Sequence, residues 1–112
     1  MGIPENGMLL RIFIGESDKY GGKTLYEYIV NEARKRKLAG ATVIRGIMGF
    51  GAKSHLHSAK LLRISEDLPV VIEIVDSEDK IRDFLPFLDE VVSDGLMTLE
   101  TVKVIRYCPK EK

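Results

Sequence analysis

The sequence predicts an α+β domain in which one antiparallel four-stranded sheet carries two helices on a single face. Short apolar runs that suit strands alternate with two segments of helical periodicity, in the order β-α-β-β-α-β. This order, with right-handed crossovers, is that of the ferredoxin-like plan. The length of 112 residues suits a single domain, which we place at residues 8–107 between a flexible tail, 1–7, and a short tail, 108–112.

The first strand and the first helix follow from their apolar spacing. Met8 to Ile14 is a short apolar run and is predicted as the first strand. Thr24 to Leu38 has apolar residues at helical spacing, and Glu27 stands at the capping-box distance from the first residue of that segment. Gly40 is placed to end this helix.

The second and third strands flank a long polar segment. Ala41 to Phe50 is predicted as one strand, in which Gly46 marks a weak point. Residues 59–64 are predicted to resume as a strand extension. Pro69 to Val75 is the third strand, with proline at its first position, where the missing N–H is tolerated.

The second helix and the fourth strand complete the plan. Ser77 is a natural N-cap, and the apolar stripe that follows it predicts a helix. Pro86 lies inside that stripe and is expected to kink the helix or split it in two. Gly95 ends the element, and Leu99 to Tyr107 is predicted as the fourth strand.

Composition excludes several classes of function. Lysine plus arginine and aspartate plus glutamate both number 17, which argues against a dedicated nucleic-acid binder. No apolar stretch is long enough for a membrane helix, so no membrane insertion is expected. The single cysteine, Cys108, suits a reducing cytoplasm. Because no catalytic constellation is present, we expect a protein that is not an enzyme.

Apolar residues on both faces of the strands predict self-association. In the third strand, Val70, Ile72 and Ile74 alternate with Val71, Glu73 and Val75. Two helices cover only one face of a sheet, and a solvated second face would be polar. We therefore expect copies of the chain to cover the second face. The alternative is a two-layer monomer with a mildly apolar surface.

Three blocks of sequence resemble a known family. They read LLRIFIGESDKYGGKTLYEYI from Leu9, LAGATVIRGIMGFG from Leu38, and HSAKLLRISEDLPVVIEIVDSEDKI from His57. Together they resemble the PII-like family catalogued as domain of unknown function 190. The resemblance implies a homotrimer whose sheets pack around a threefold axis, with adenine nucleotides bound in clefts between subunits. It also implies that a loop, here residues 49–67, reports the bound state to a partner protein.

The sequence departs from PII proteins in one segment. Between the second helix and the fourth strand, PII proteins have a glycine- and lysine-bearing segment that binds nucleotide phosphates. The corresponding residues 93–98 read SDGLMT, with one glycine and no lysine. This difference argues against triphosphate binding of the PII kind.

Candidate ligand-binding residues come from three places, each of which has an ordinary structural alternative. A glycine-bearing turn beside a cation and a hydroxyl can hold an anion on its backbone N–H groups. The segment before the first helix could hold an anion at the helix N-terminus. Arginines in the second and fourth strands could neutralise a phosphate. These candidates are Gly49, Gly51, Lys53 and Ser54 in the turn, Lys19 and Lys23 before the helix, and Arg45 and Arg106 in the strands.

Two histidines offer a different hypothesis. In an extended segment, His55 and His57 would point to the same side and could begin a site for a divalent metal. Two ligands do not complete such a site, so another subunit would have to supply more. The alternative is a polar loop that happens to contain both histidines.

Overall fold

The computed structural model describes residues 5–51, 57–58 and 67–109. The elements in chain order are β1 (Asn6–Gly15), β2 (Lys19–Tyr20), β3 (Lys23–Thr24), α1 (Leu25–Lys35), β4 (Thr42–Arg45), β5 (Met48–Gly49), β6 (His57–Ser58), β7 (Pro69–Asp76), α2 (Glu78–Val91) and β8 (Leu96–Lys103). The main sheet has the order β4-β7-β1-β8, and its neighbours are antiparallel. The ferredoxin-like prediction is confirmed.

The core lies between the helix layer and one face of this sheet. Alternate residues of β1 and β7 are buried, because successive side chains of a strand point to opposite faces. The buried helix residues recur at three- and four-residue spacing. Each fully buried aliphatic or phenyl side chain contributes about 1.5–3 kcal/mol relative to exposure. The largest of these side chains are Leu10, Ile12, Ile29, Ile72, Ile74, Ile81, Phe84 and Leu88.

The second strand is shorter than predicted. β4 ends at Arg45, and the N–H of Gly46 donates to the carbonyl of Pro69 at 2.7 Å. Ile47 follows with 78% of its surface exposed, and the chain then pairs as β5 with β6 in a separate two-stranded ladder. The break falls at Gly46, which the sequence had marked as a weak point of the predicted strand. The predicted strand extension at residues 59–64 lies outside the described residues.

The two helices begin differently. Thr24 is the N-cap of α1 but its side chain makes no capping hydrogen bond, so the predicted capping box does not form. Ser77 caps α2 as predicted, and its hydroxyl accepts from the N–H of Lys80 at 3.3 Å. Of the two predicted effects of Pro86, a kink or a split, the split is wrong, because α2 runs through Pro86 as one helix. Packing of its apolar stripe on the sheet outweighs the one backbone hydrogen bond that proline removes.

Helix α1 ends before Gly40, the residue predicted to stop it. Lys37 adopts the left-handed conformation, with φ 62°. Its N–H donates to the carbonyl of Arg34 at 3.0 Å, and the N–H of Leu38 donates to that of Ala33 at 3.1 Å. This pair of bonds is a Schellman motif, which satisfies carbonyls at the helix end without glycine.

The fourth strand is displaced towards the N-terminus from the predicted 99–107. β8 spans Leu96–Lys103, and directly after it the N–H of Val104 still donates to the carbonyl of Glu5 at 2.6 Å. β1 likewise begins at Asn6, two residues before the predicted start. In the part of the chain that the structure describes, neither helix is long and apolar enough to cross a membrane.

Candidate functional site

Apart from the segment after β8, the part of the chain that the structure describes adds no layer to the sheet face opposite the helices, and most side chains on that face are apolar. We call it the open face, and the pairing of the strands assigns side chains to it. Val71 and Val75 are half-buried there, as the alternation in the third strand predicted. The apolar members of the open face are Leu9, Phe13, Ile44, Val71, Val75, Leu96 and Val102. A patch of this extent is unusual on a monomer and favours association.

An ion-pair cluster lies at the centre of the open face. The Nε of Arg11 lies 2.9 Å from Glu73 Oε2, and its Nη1 lies 3.0 Å from Glu100 Oε1. We call these three residues the Arg11 triad. The hydrogen bond to Glu73 is the main reason that the pKa of Arg11 is raised above its ordinary value.

A groove lies beside the start of β4, where the chain after β8 returns across the sheet. The hydroxyl of Tyr107 donates to the carbonyl of Ala39 at 3.2 Å and fixes this crossing. We call this space the edge groove; its volume is about 430 Å³. It combines a cation, a carboxylate, a hydroxyl and an aromatic ring with apolar walls. Its lining residues are Ala39, Gly40, Ala41, Thr42, Glu73, Val75, Val104, Arg106 and Tyr107.

The base of the 49–67 loop lies at the other end of β4. Arg45 forms an ion pair with Glu16, which joins β4 to the segment after β1. Asp67 Oδ1 accepts from the N–H of Ser17 at 2.9 Å. The N–H of Glu16 also donates to the carbonyl of Leu68 at 2.8 Å. The two ends of the loop are therefore tied to the same four-residue segment, 15–18.

Sequence reasoning missed the acidic residues at this loop base. Asp18 Oδ2 accepts from the N–H of Gly15 at 2.9 Å. The backbone carbonyl of Asp18 accepts from the N–H of Leu25, also at 2.9 Å. The three-residue spacing from Gly15 to Asp18 was a readable sign of a side-chain turn. No local signal marks Asp67, since its partner lies 50 residues away in the chain.

The segment before α1 contains a tight hairpin. β2 and β3 are joined by Gly21 and Gly22, whose φ angles of 58° and 81° suit a type I′ turn. Lys23 extends over the ring of Tyr28, with its Nζ 4.7 Å from the ring centroid. It lines a shallow groove on α1 and is not among the residues of the edge groove.

The hairpin is fixed to the helix layer by an aromatic contact. The rings of Tyr20 and Tyr28 stack with centroids 5.8 Å apart. The hydroxyl of Tyr20 donates to Glu90 Oε2 at 3.2 Å, and this bond raises the pKa of Tyr20 above 10.0. Lys19 is exposed on the same hairpin.

The two candidate arginines lie at opposite ends of one strand. Arg45 ends β4, whereas Arg106 lines the edge groove beside Thr42, where β4 begins. One subunit therefore does not place both guanidinium groups in the same groove. A ligand that uses both would have to lie between two copies.

The structure describes only some of the candidate residues in the glycine-bearing turn. Gly49 pairs with His57 in the β5–β6 ladder, and Gly51 is exposed. Lys53, Ser54 and His55 lie outside the described residues. Within 5–51, 57–58 and 67–109 no three His, Cys, Asp or Glu side chains form a group that could hold a metal ion. The metal hypothesis stays a prediction.

This fold is PII-like. Among solved structures, the chain is similar to CPII, a nitrogen regulatory PII-like protein from Thiomonas intermedia K12, bound to ADP, AMP and bicarbonate. The TM-score is 0.62 with 17% identity over 90% of each chain. The form of that protein bound to ADP and bicarbonate gives a TM-score of 0.60, also at 17% identity and 90% coverage of each chain.

The chain belongs to the DUF190 family (Uncharacterized ACR, COG1993), whose model matches residues 7–104. A UPF0166 protein of Aquifex aeolicus (strain VF5) is 44% identical over 99 residues, covering 87% of this chain and 91% of the relative. A UPF0166 protein of Methanocaldococcus jannaschii is 35% identical over 99 residues, covering 88% and 91%. The family resemblance seen in the sequence is confirmed.

Proposed function

We propose that this protein is a homotrimeric, cytoplasmic regulator that binds an adenine nucleotide between its subunits. The observation that carries this proposal is the arrangement along β4. The edge groove, with Arg106, lies at one end of this strand, and the loop base, with Arg45, lies at the other. In a ring of copies, each groove can meet the loop base of its neighbour.

The exposed apolar residues support a closed ring. Ile44 is 48% exposed on the open face, and Ile47 and Met48 continue the apolar surface beyond the end of β4. The groove at the other end of the strand has apolar walls, which include Val75 and Val104. Contact between two different patches of the same chain is heterologous, and such contacts close into rings when the rotation permits.

The chemistry of the edge groove suits a nucleoside phosphate. Arg106 offers a charged donor for a phosphate, and Thr42 offers a hydroxyl. Tyr107 and the two valines offer surface for a flat base. The volume of about 430 Å³ lies in the usual range for ligand sites. The likeness of the fold to a protein solved with ADP and AMP favours an adenine nucleotide.

The 49–67 loop is proposed to transmit the bound state to a partner protein. Its ends are tied to segment 15–18 through Asp67 and, just before the loop, through Arg45. A phosphate that draws Arg45 away from Glu16 would remove one of these ties. The equilibrium between loop arrangements would then shift with ligand, and so would partner binding.

Calorimetric titration with ADP and AMP tests this proposal. Arg106→Gln should weaken nucleotide binding by about tenfold or more, since it removes a charge-assisted bond to phosphate. The matched control is Arg82→Gln, which removes an exposed guanidinium of α2 that pairs with Glu78. Equal affinities of the wild type and R106Q would contradict the proposed site, and no binding of either nucleotide would contradict the ligand class.

A further inference from the structure

We propose that the Arg11 triad is a contact between subunits, in which Arg11 of one copy binds Glu100 of the next and fixes how the copies fit together. This inference rests on the proposed trimer and adds the residues that determine the specificity of its assembly. The triad lies apart from the edge groove and the loop base, except that Glu73 also lines the groove.

The position of the triad is the first support. β1 is an inner strand of the sheet, and Arg11 lies near its middle, opposite Glu73 on β7 and Thr98 on β8. In a ring of three sheets whose open faces point inwards, the middle of each face lies nearest the axis. The three triads would therefore converge where the copies meet.

The unused bonding capacity of the triad is the second support. Glu100 is its most exposed member, with 57% of its side chain accessible, and its ion pair with Arg11 is made through Oε1. A guanidinium has five N–H donors, and the two contacts of Arg11 within the triad use Nε and Nη1. One Arg11 can therefore bond a carboxylate of its own chain and one of a neighbour.

The energetics of covering the face are the third support. When copies cover the apolar part of the open face, the triad loses water, and charged groups that lose water need partners. Each triad has one positive and two negative charges, and the Arg11 of one copy can pair with the exposed Glu100 of the next. Arg106, a further charged residue, lines the edge groove together with Glu73. Apolar contacts tolerate sliding, whereas bonds between these charges fix one alignment.

Mixing of subunits tests whether the triads touch. A triple variant with inverted charges, R11E/E73R/E100R, keeps complementary signs within each chain and within its own trimers. Its subunits are exchanged with those of the wild type, and the masses of the resulting trimers are measured by native mass spectrometry. We expect mixed trimers to be about tenfold rarer than random mixing would give, because residues 11 and 100 of neighbouring subunits would then carry like charges. Random mixing would overturn the proposal.

The control inverts an ion pair elsewhere. On the exposed side of α2, Arg82 Nε lies 2.7 Å from Glu78 Oε2. Subunits of the E78R/R82E variant should therefore mix randomly with those of the wild type. Should the triple variant fail to fold, Glu100→Lys decides the matter, because an exposed ion pair contributes little to folding. E100K is expected to dissociate at concentrations at which its matched control, E78K, remains trimeric.

The outcomes separate this inference from the proposed function. A monomeric wild type would contradict both. A trimeric wild type that mixes randomly with the inverted variant, or E100K trimers as stable as those of E78K, would contradict the triad contact alone. Nucleotide binding by such a trimer would leave the proposed function in place.

Discussion

The carboxylate of Asp67 accepts a hydrogen bond of 2.9 Å from the backbone N–H of Ser17, which lies 50 residues earlier in the chain. The same carboxylate closes over Gly15. A β-carbon at Gly15 would lie 2.6 Å from Asp67 Oδ1, closer than such atoms approach in proteins. A side chain at Gly15 would therefore displace the Asp67 carboxylate, whose bond to Ser17 holds the end of the 49–67 loop against the segment that follows β1.

This relationship predicts a coupled pair of mutations. Gly15→Ala should lower the free energy of unfolding by about 1–3 kcal/mol through overpacking. Asp67→Ala should lower it by about 1 kcal/mol through the lost hydrogen bond. The double variant should be more stable than the sum of these losses implies, because removing the carboxylate removes the clash. Urea denaturation measures all three.

Gly40→Ala is the matched control for this cycle. Among the described residues other than its two chain neighbours, no atom lies within 4 Å of a β-carbon at Gly40, so the effect of Gly40→Ala on stability should add to that of Asp67→Ala. Simple additivity in the Gly15 cycle as well would show that Asp67 does not determine the need for glycine at that position.

The end of α1 predicts a stabilising substitution. Lys37 has φ 62°, a conformation that costs a residue with a β-carbon about 1–2 kcal/mol. Lys37→Gly should therefore raise the free energy of unfolding. The net gain should be about 0.5–1 kcal/mol, because glycine loses more chain entropy on folding than lysine does and this offsets part of the gain. The substitution keeps the backbone carbonyl of residue 37, which accepts a hydrogen bond from Lys80 Nζ at 2.6 Å. Urea denaturation again provides the measurement.

Lys35→Gly is the control for Lys37→Gly. Lys35 is the last residue of α1, where glycine should lower stability by up to about 0.5–1 kcal/mol. Opposite signs for two lysines two positions apart are expected only if the helix ends as described. Destabilisation by both substitutions would contradict the Schellman end.

The bond between Tyr20 and Glu90 predicts a pH effect. Because the phenol donates to the carboxylate, the protonated form is favoured in the folded protein and the pKa of Tyr20 is raised above 10.0. The contribution to stability is present below pH 10 and is lost as the pH rises through the raised pKa. The difference in phenolate absorbance between wild type and Y20F follows this titration.

Glu90→Gln should return the pKa of Tyr20 towards 10.0, because it removes both the accepting carboxylate and its charge. Glu27→Gln, which removes a carboxylate from the first turn of α1, should leave that titration unchanged. If E90Q and wild type titrate alike, the hydrogen bond does not hold the hairpin to α2.

The metal hypothesis makes a separate prediction. If His55 and His57 begin a metal site, wild type should bind Zn²⁺ or Cu²⁺, and the H55A/H57A variant should lose that binding. Cys108→Ser is the control, because Cys108 is an exposed thiol that could bind metal by itself. Unchanged metal affinity in the double histidine variant would remove the hypothesis.

The fold was predictable because its strands and helices have strong apolar periods. Errors arose where a local signal was ambiguous. The run from Ala41 to Phe50 is rich in β-branched and apolar residues, and Gly46 was noted only as a weak point in it, so the sequence did not show that the N–H of Gly46 bonds Pro69 where the strand ends. Gly40 suited a helix end, but Lys37 took that role because the backbone bonds of α1 close there.

The candidate site was predictable only in part. Arg45 and Arg106 were identified from their charge and their strands, yet sequence gave no sign that they lie at opposite ends of β4. The partners Glu16 and Asp67 escaped notice because their contacts join residues 29 and 50 positions apart. Such contacts depend on the register of the sheet, which no single segment encodes.

Native mass spectrometry of the purified protein, with and without ADP or AMP, tests the central claim most directly. We predict a trimer that takes up as many as one nucleotide per subunit interface, with little nucleotide bound to free subunits. A monomer that ignores both nucleotides would contradict the account. A trimer that binds neither would keep the assembly and remove the nucleotide from it.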